Sequence, residues 1–143
     1  MIKELAAIIR AQSNRYQHVY IIGNGGSAAN AIHFANDLVA CNVKAHALTA
    51  DVATLTAIAN DYGYKYIFSR QLDVYGEVGD LLIALSGSGK SKNNLTAIDM
   101  ASQHGMIVYT IFGNELDLDM QSAEEYQLTV AHGVRKCLLS QTA

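Results

Sequence analysis

The stretch DLLIALSGSGKS (residues 80–91) decides the fold. Asp80 to Leu85 is apolar at nearly every position, which suits a strand covered on both faces. Ser86 to Ser91 breaks it with glycines and hydroxyls, and a helix is expected from Lys92 to about Gln103. The same order occurs earlier. His18 to Ile22 (HVYII) reads as a strand, Gly23-Asn24-Gly25-Gly26 as a turn, and Ser27 to about Ala40 as an alanine-rich helix. A short opening helix over residues 3–15, a weak strand over 43–48, helices over 49–59 and 66–74, and a strand from Met106 to Phe112 extend the alternation. A last, shorter strand is expected from Tyr126 to Val130. Strands alternating with helices, and apolar on both faces, predict a parallel sheet between two helical layers. The fold class is α/β, a three-layer αβα sandwich, in a single domain over residues 1–143.

Composition narrows the function. The 143 residues are 50% hydrophobic and 16% charged, with eleven glycines and no proline. That excludes a disordered segment, a proline-rich linker and a collagen-like repeat. The net charge of −3 argues against a general binder of nucleic acid or anionic membrane, so an anion must be held by local donors. Cys41 and Cys137 lack C-x-x-C spacing and read as reduced thiols of a cytoplasmic protein. The N-terminal MIKELAAIIRAQ, interrupted by Glu4 and Arg10, is neither a signal peptide nor a membrane span.

Both glycine-rich loops follow a strand and open a helix. In a parallel sheet they emerge at the same edge, where free amides and helix dipoles attract anions. Gly23-x-Gly25-x-x-Ala28 fits the dinucleotide fingerprint, but the acidic residue expected about twenty positions on is missing, since Asp51 comes too late. Gly89-Lys90-Ser91 ends like a Walker A loop, yet Ala84 stands where that motif needs glycine. A small phosphate monoester suits these loops better than a nucleotide.

IIGNGGSAANAIHFANDL (21–38), TLTAIANDYGYKYIFSRQL (54–72) and GDLLIALSGSGKSKNNLTAI (79–98) resemble the sugar isomerase (SIS) domain family, over about Val19 to Val130. The nearest branch is that of the phosphoheptose (sedoheptulose 7-phosphate) isomerases, with their non-enzymatic relative, the bacterial replication-initiator-associating protein. The resemblance implies a flavodoxin-like, five-stranded parallel sheet and a sugar phosphate ligand. It implies that Ser86, Ser88 and Ser91 hold the phosphate, and that Asn24, Gly25 and Ser27 line the sugar pocket. Gly87 stands where the family usually has threonine, and Lys90 where it has asparagine, so Lys90 can replace a lost hydroxyl with charge. Asn60 and Asp61 match a family pair near the site, with Asp61 a candidate for catalysis. Arg70 matches a family arginine.

On the helix after the first loop, Ala28, Ile32, Ala35 and Val39 are expected to form the buried face, with Asn30, His33 and Asp37 opposite. His33 and Asp37, at i and i+4, are spaced for two ligands of one metal. In the family a histidine matches His33 and a glutamate acid/base matches Asp37. Some members bind zinc there, although the resemblance implies no required cofactor. The family's second group comes from a closing helix with glutamine and histidine. Here that helix is expected to be largely missing and the opening helix shortened, with only Gln141 near the end and His132 as a surface residue. The two readings are an aldose–ketose isomerase using Asp37 and His33, and a binding-only protein for a phosphosugar or a partner. A homodimer or homotetramer is expected, with Leu138 and Leu139 exposed for self-association.

Overall fold

A computed structural model describes residues 1–140; Gln141, Thr142 and Ala143 lie outside it. Six helices and four strands alternate along it: α1 (Ile2–Asn14), β1 (Val19–Ile22), α2 (Gly26–Val39), β2 (Ala45–Ala47), α3 (Val52–Tyr62), α4 (Ser69–Tyr75), β3 (Leu81–Ser86), α5 (Lys92–Gln103), β4 (Ile107–Phe112) and α6 (Met120–Ser140). Short 3-10 turns cover Tyr64–Tyr66 and Gly113–Leu116. None of these helices is long and apolar enough to cross a membrane.

All strand pairs are parallel, in the order β2-β1-β3-β4. Alternate residues of each strand serve opposite cores. Val19, Ile21, Leu81, Ile83, Leu85 and Ile111 meet α1, α2 and α6 through Leu5, Ile9, Phe34, Leu38, Val130 and Val134. Tyr20, Ile22, Leu82, Ala84 and Phe112 meet Leu72, Ala97 and Ala101 of α4 and α5 on the other face. The α/β sandwich is as expected, but its sheet has four strands rather than five.

The missing strand is explained by α6. Residues Tyr126 to Val130, read as a strand for their β-prone side chains, lie inside a helix whose buried positions are Ala123, Gln127, Val130, Ala131, Val134 and Leu138. That is helical spacing, which overrides local propensity when a core is there to receive it. A closing helix is therefore present, and Leu138 belongs to the core while Leu139 is exposed. The buried face of α2 also differs from expectation. Ala31, Phe34, Ala35 and Leu38 face the sheet, whereas Ile32 and Val39 are 46% and 56% exposed. Small and apolar residues all round this helix blur its period, and bulky Phe34 and Leu38 set the orientation.

The edge strand β2 carries His46, whose Nε2 lies 2.8 Å from His18 Nδ1. Burial and the neighbouring His18 hold the His46 pKa below its usual 6.5, against a weaker opposing pull from Asp80. The unfolded chain therefore takes up a proton that the folded chain resists, so stability falls as pH drops below about 6.5. His46→Gln is expected to flatten the slope of melting temperature against pH between neutrality and the folded pKa, read by circular dichroism. An unchanged slope would assign that loss to other groups.

Candidate functional site

From β1 the chain goes to β2 on one side, and from β3 to β4 on the other. The sheet order reverses between β1 and β3, the position where open parallel sheets bind ligands. Both glycine loops leave the sheet there. Gly25 (φ 55°) and Gly89 (φ 66°) take left-handed conformations that other residues adopt at a cost.

Two asparagines tie the loops together. Asn24 Nδ2 donates to Asn93 Oδ1 and Asn93 Nδ2 donates to Asn24 Oδ1, both at 2.8 Å. Tyr64 Oη adds a bond to Asn24 Oδ1 at 3.0 Å. Asn93 is 3% exposed, so its half of this closed amide pair is shielded from water, while Asn24 is half-buried. Asn24, Ser27, Ser86, Gly87, Ser88, Ser91, Leu85 and Met120 line a cavity of about 70 Å³ beside it.

Helix capping differs along the sheet. Asp51 caps α3 by accepting from Thr54 N, and Asp119 caps α6 by accepting from Ser122 N at 2.8 Å. These bonds hold both carboxyl pKa values low. At the sheet reversal, neither Gly25 of α2 nor Ser91 of α5 makes a side-chain cap. The N-terminus of α2 meets a carboxylate instead, because a Cβ at Gly26 would collide with the Glu124 carboxyl group. That leaves the first amides of α5 and the Ser91 hydroxyl for an external anion. Ser86 Oγ and Ser88 Oγ accept from Gly89 N (2.9 Å) and Lys90 N (3.1 Å), which shapes the loop around the cavity. At Gly87, an added Cβ would run into the Met120 sulfur, so the start of α6 fills the space a larger residue would take.

Beyond the cavity, the polar side of α2 packs on α6, with His33 still open to solvent. Gln127, 2% exposed, donates to Ser27 Oγ at 3.0 Å and accepts from Asn30 Nδ2 at 3.0 Å. Asn30 also bonds Glu124 O at 2.9 Å. Farther along, His33 Nε2 lies 3.0 Å from His132 Nε2 and 3.5 Å from Asp37 Oδ2. Asp37, 2% exposed, pairs through Oδ1 with Arg135 Nη1 at 3.1 Å, and its buried Oδ2 has no hydrogen-bond partner among the described residues. The donor atoms of His33, Asp37 and His132 all lie within 4.8 Å of one another. Six residues separate Ser27 from His33, or ~9 Å along the helix axis.

The expected site residues therefore divide. Asn24, Ser27, Ser86, Ser88 and Ser91 line one cavity, while His33 and Asp37 join a second cluster along α2. Gly25 shapes the start of α2, and Lys90 is exposed outside the cavity lining. Asn60 and Asp61 are not brought to it. Asn60 bonds Asp61, which lines a separate groove between α3 and α4 with Arg70 and Tyr62. The Arg70 guanidinium stacks 3.6 Å from the Tyr62 ring centroid there. Glu124, Gln127 and Arg135 were missed because a strand over Tyr126–Val130 breaks up the single helix that carries them, and His132, expected at the surface, is exposed but meets His33. Their helical spacing was the signal.

A parallel α/β domain with a serine-lined cavity at its sheet reversal is the class that fold and site define. The sequence profile described as the SIS domain matches residues 1–113, and the chain belongs to the SIS domain family. It is 43% identical over 118 residues to a phosphoheptose isomerase of Rhodospirillum rubrum, covering 78% of this chain and 63% of that one. With a phosphoheptose isomerase of Campylobacter concisus it shares 48% over 101 residues, covering 66% and 53%. The chain thus spans less than two thirds of the length of these curated relatives. The solved phosphoheptose isomerase of Neisseria gonorrhoeae superposes with a TM-score of 0.90 at 31% identity, over 97% of this chain and 85% of that one. That of Francisella tularensis gives 0.89 at 27% identity, over 98% and 85%.

Breaking the amide pair tests the loop junction. Asn93→Ala leaves Asn24 with unpaired polar atoms and is expected to cost about 1–3 kcal/mol in urea denaturation. Tyr64→Phe, at an exposed ring, should cost less. Equal costs would show that the amide pair has no special part in joining the loops.

Proposed function

We propose that this chain is an aldose–ketose isomerase for a phosphorylated sugar, of the phosphoheptose isomerase type. The observation that carries the reading is the serine-lined cavity at the uncapped start of α5, followed ~9 Å along α2 by the His33–His132 pair. The cavity's size suits a phosphate group, and the interval suits a sugar chain of hexose or heptose length. The relatives carry the name phosphoheptose isomerase, which supports the catalytic reading over a binding-only one.

In this reading the phosphate sits on the α5 amides with the hydroxyls of Ser88 and Ser91. Ser27 and Gln127 meet the hydroxyls of the sugar chain, whose carbonyl end reaches the histidines. Ketose-to-aldose conversion removes a proton from C1, forms an enediol, moves a proton from O1 to O2 and returns a proton to C2. His33 and His132 are the groups placed to move these protons. At 3.0 Å the two Nε2 atoms share a hydrogen bond only when one lacks its hydrogen, so the pair offers an acceptor beside a donor. Asp37 is too buried to reach substrate and acts as a positioning residue for His33, itself fixed by Arg135.

The residues also fit a zinc ion. Two imidazole nitrogens and the orphaned Asp37 Oδ2 make a three-ligand set of the kind that leaves a position open. Zinc bound there would polarise the sugar's carbonyl oxygen as a Lewis acid. His33, His132 and Asp37 would hold it, with Arg135 retaining the other carboxyl oxygen.

Purified protein supplied with sedoheptulose 7-phosphate is expected to form the aldose, followed by proton NMR. His132→Gln should lower kcat about 10²–10⁴-fold with little change in KM, whereas Ser88→Ala should mainly raise KM. Absence of turnover in folded protein, with and without zinc, would defeat the isomerase reading. Separately, dialysis against zinc and elemental analysis should find one ion per chain, lost in His33→Ala and His132→Ala. Retention by both variants would place the metal elsewhere.

A further inference from the structure

β4 ends the sheet, and among the described residues no strand lies beside its outer edge. Ile107 N donates to Asp80 O at 2.8 Å, which fixes the alternation of the ladder. In a parallel pair, alternate residues of a strand bond a given neighbour, so Ile107, Tyr109 and Ile111 serve β3. Val108 and Thr110 turn their N–H and C=O groups outward, and among the described residues those groups meet no backbone or side-chain partner.

The usual protections of an edge are missing. The run from Met106 to Gly113 has no charged residue, the chain has no proline, and the β3–β4 register is continuous, without a bulge. IVYTIF combines high β-propensity with no charge and no glycine, the composition that recruits another strand. Residues 113–119 cannot supply one, because a parallel crossover takes a dozen or more residues and α6 begins at Met120.

We infer that the outer edge of β4 pairs with the β4 edge of a second copy of this chain, antiparallel across a two-fold axis. The incoming strand must be apolar on both faces, since Tyr109 packs toward one core and Val108 toward the other. β4 itself meets that requirement, and a two-fold contact uses the same surface on both chains. Antiparallel pairing also sets the acidic end of one strand, Glu115 and Asp117, against the uncharged Gly105–Met106 end of its mate. Parallel pairing would bring the acidic ends together. The contact covers Ile107, which is 41% exposed. It stands apart from the proposed isomerase site.

Sedimentation velocity at tens of micromolar should show a dimer. Hydrogen exchange should show the Val108 and Thr110 amides protected in proportion to dimer formed. Thr110→Pro removes only an outward N–H and should weaken dimerisation at least about tenfold with the helical spectrum retained. Thr110→Lys should do the same with the backbone amide intact. A monomeric wild type, or a dimer whose Val108 and Thr110 amides exchange freely, overturns the inference. So does a dimer that withstands both variants, which would point to another surface or another partner for this edge.

Discussion

Helices α2 and α6 meet along a column of polar side chains, buried at Ser27, Gln127 and Asp37 and open to solvent at His33, His132 and Arg135, and the site depends on that column. Ser27–Gln127, Asn30–Gln127, His33–His132 and Asp37–Arg135 follow one another along the seam. Buried polar groups are costly unless paired, so the contacts of Ser27, Gln127 and Asp37 restrict the rotation and sliding of one helix on the other. Apolar packing on both sides, through Phe34, Leu38, Val130 and Val134, supplies the adhesion. The polar seam supplies the register, and thereby sets His132 opposite His33.

The same seam divides labour between two helix N-termini. Both α2 and α5 begin at the sheet reversal without side-chain caps, and both dipoles favour negative charge there. Glu124, held beside α2 by the bond from Asn30 to its carbonyl, brings a carboxyl group against Gly26. The α5 terminus has no side-chain cap, and on the proposed reading its amides serve an outside ligand. Two convergent dipoles thus need only one external anion, consistent with a cavity of about 70 Å³.

Much of this was legible from residues 80–91 and 18–27, because an apolar run ended by glycine and serine has few alternatives to strand, turn and helix. The parallel sheet and the serine-lined cavity follow from reading that order twice. The seam was harder to see. Tyr126, Thr129 and Val130 favour strand locally, and the helical period emerges only when Gln127 counts as an inward residue, paired with Ser27. Reading that segment as a strand also produced the unobserved fifth strand, and it hid that His132, exposed as expected, stands 3.0 Å from His33. On α2, a run of small residues placed the buried face on Ile32 and Val39, one step from the true Ala31–Phe34–Leu38 face. Asp61 had a plausible position in sequence, but the path of α3 takes it to the groove beside Arg70.

Asp37 shows how burial changes a residue's chemical part. An aspartate four positions after a histidine suggests a base beside its partner. Here the side chain is almost wholly enclosed, with one oxygen committed to Arg135 and the other 3.5 Å from His33. A carboxyl group so enclosed cannot approach a substrate carbon, but it can hold an imidazole in orientation or share a metal with it. His33 is 47% exposed at its side chain and is the member of this pair that an incoming sugar can touch. On the proposed isomerase reading, the buried carboxyl group and its arginine leave proton transfer to the imidazoles, and His132 on α6 provides the second one. Without α6 in register, α2 would present one histidine beside an unpaired buried acid, which is neither a stable arrangement nor a proton-transfer pair.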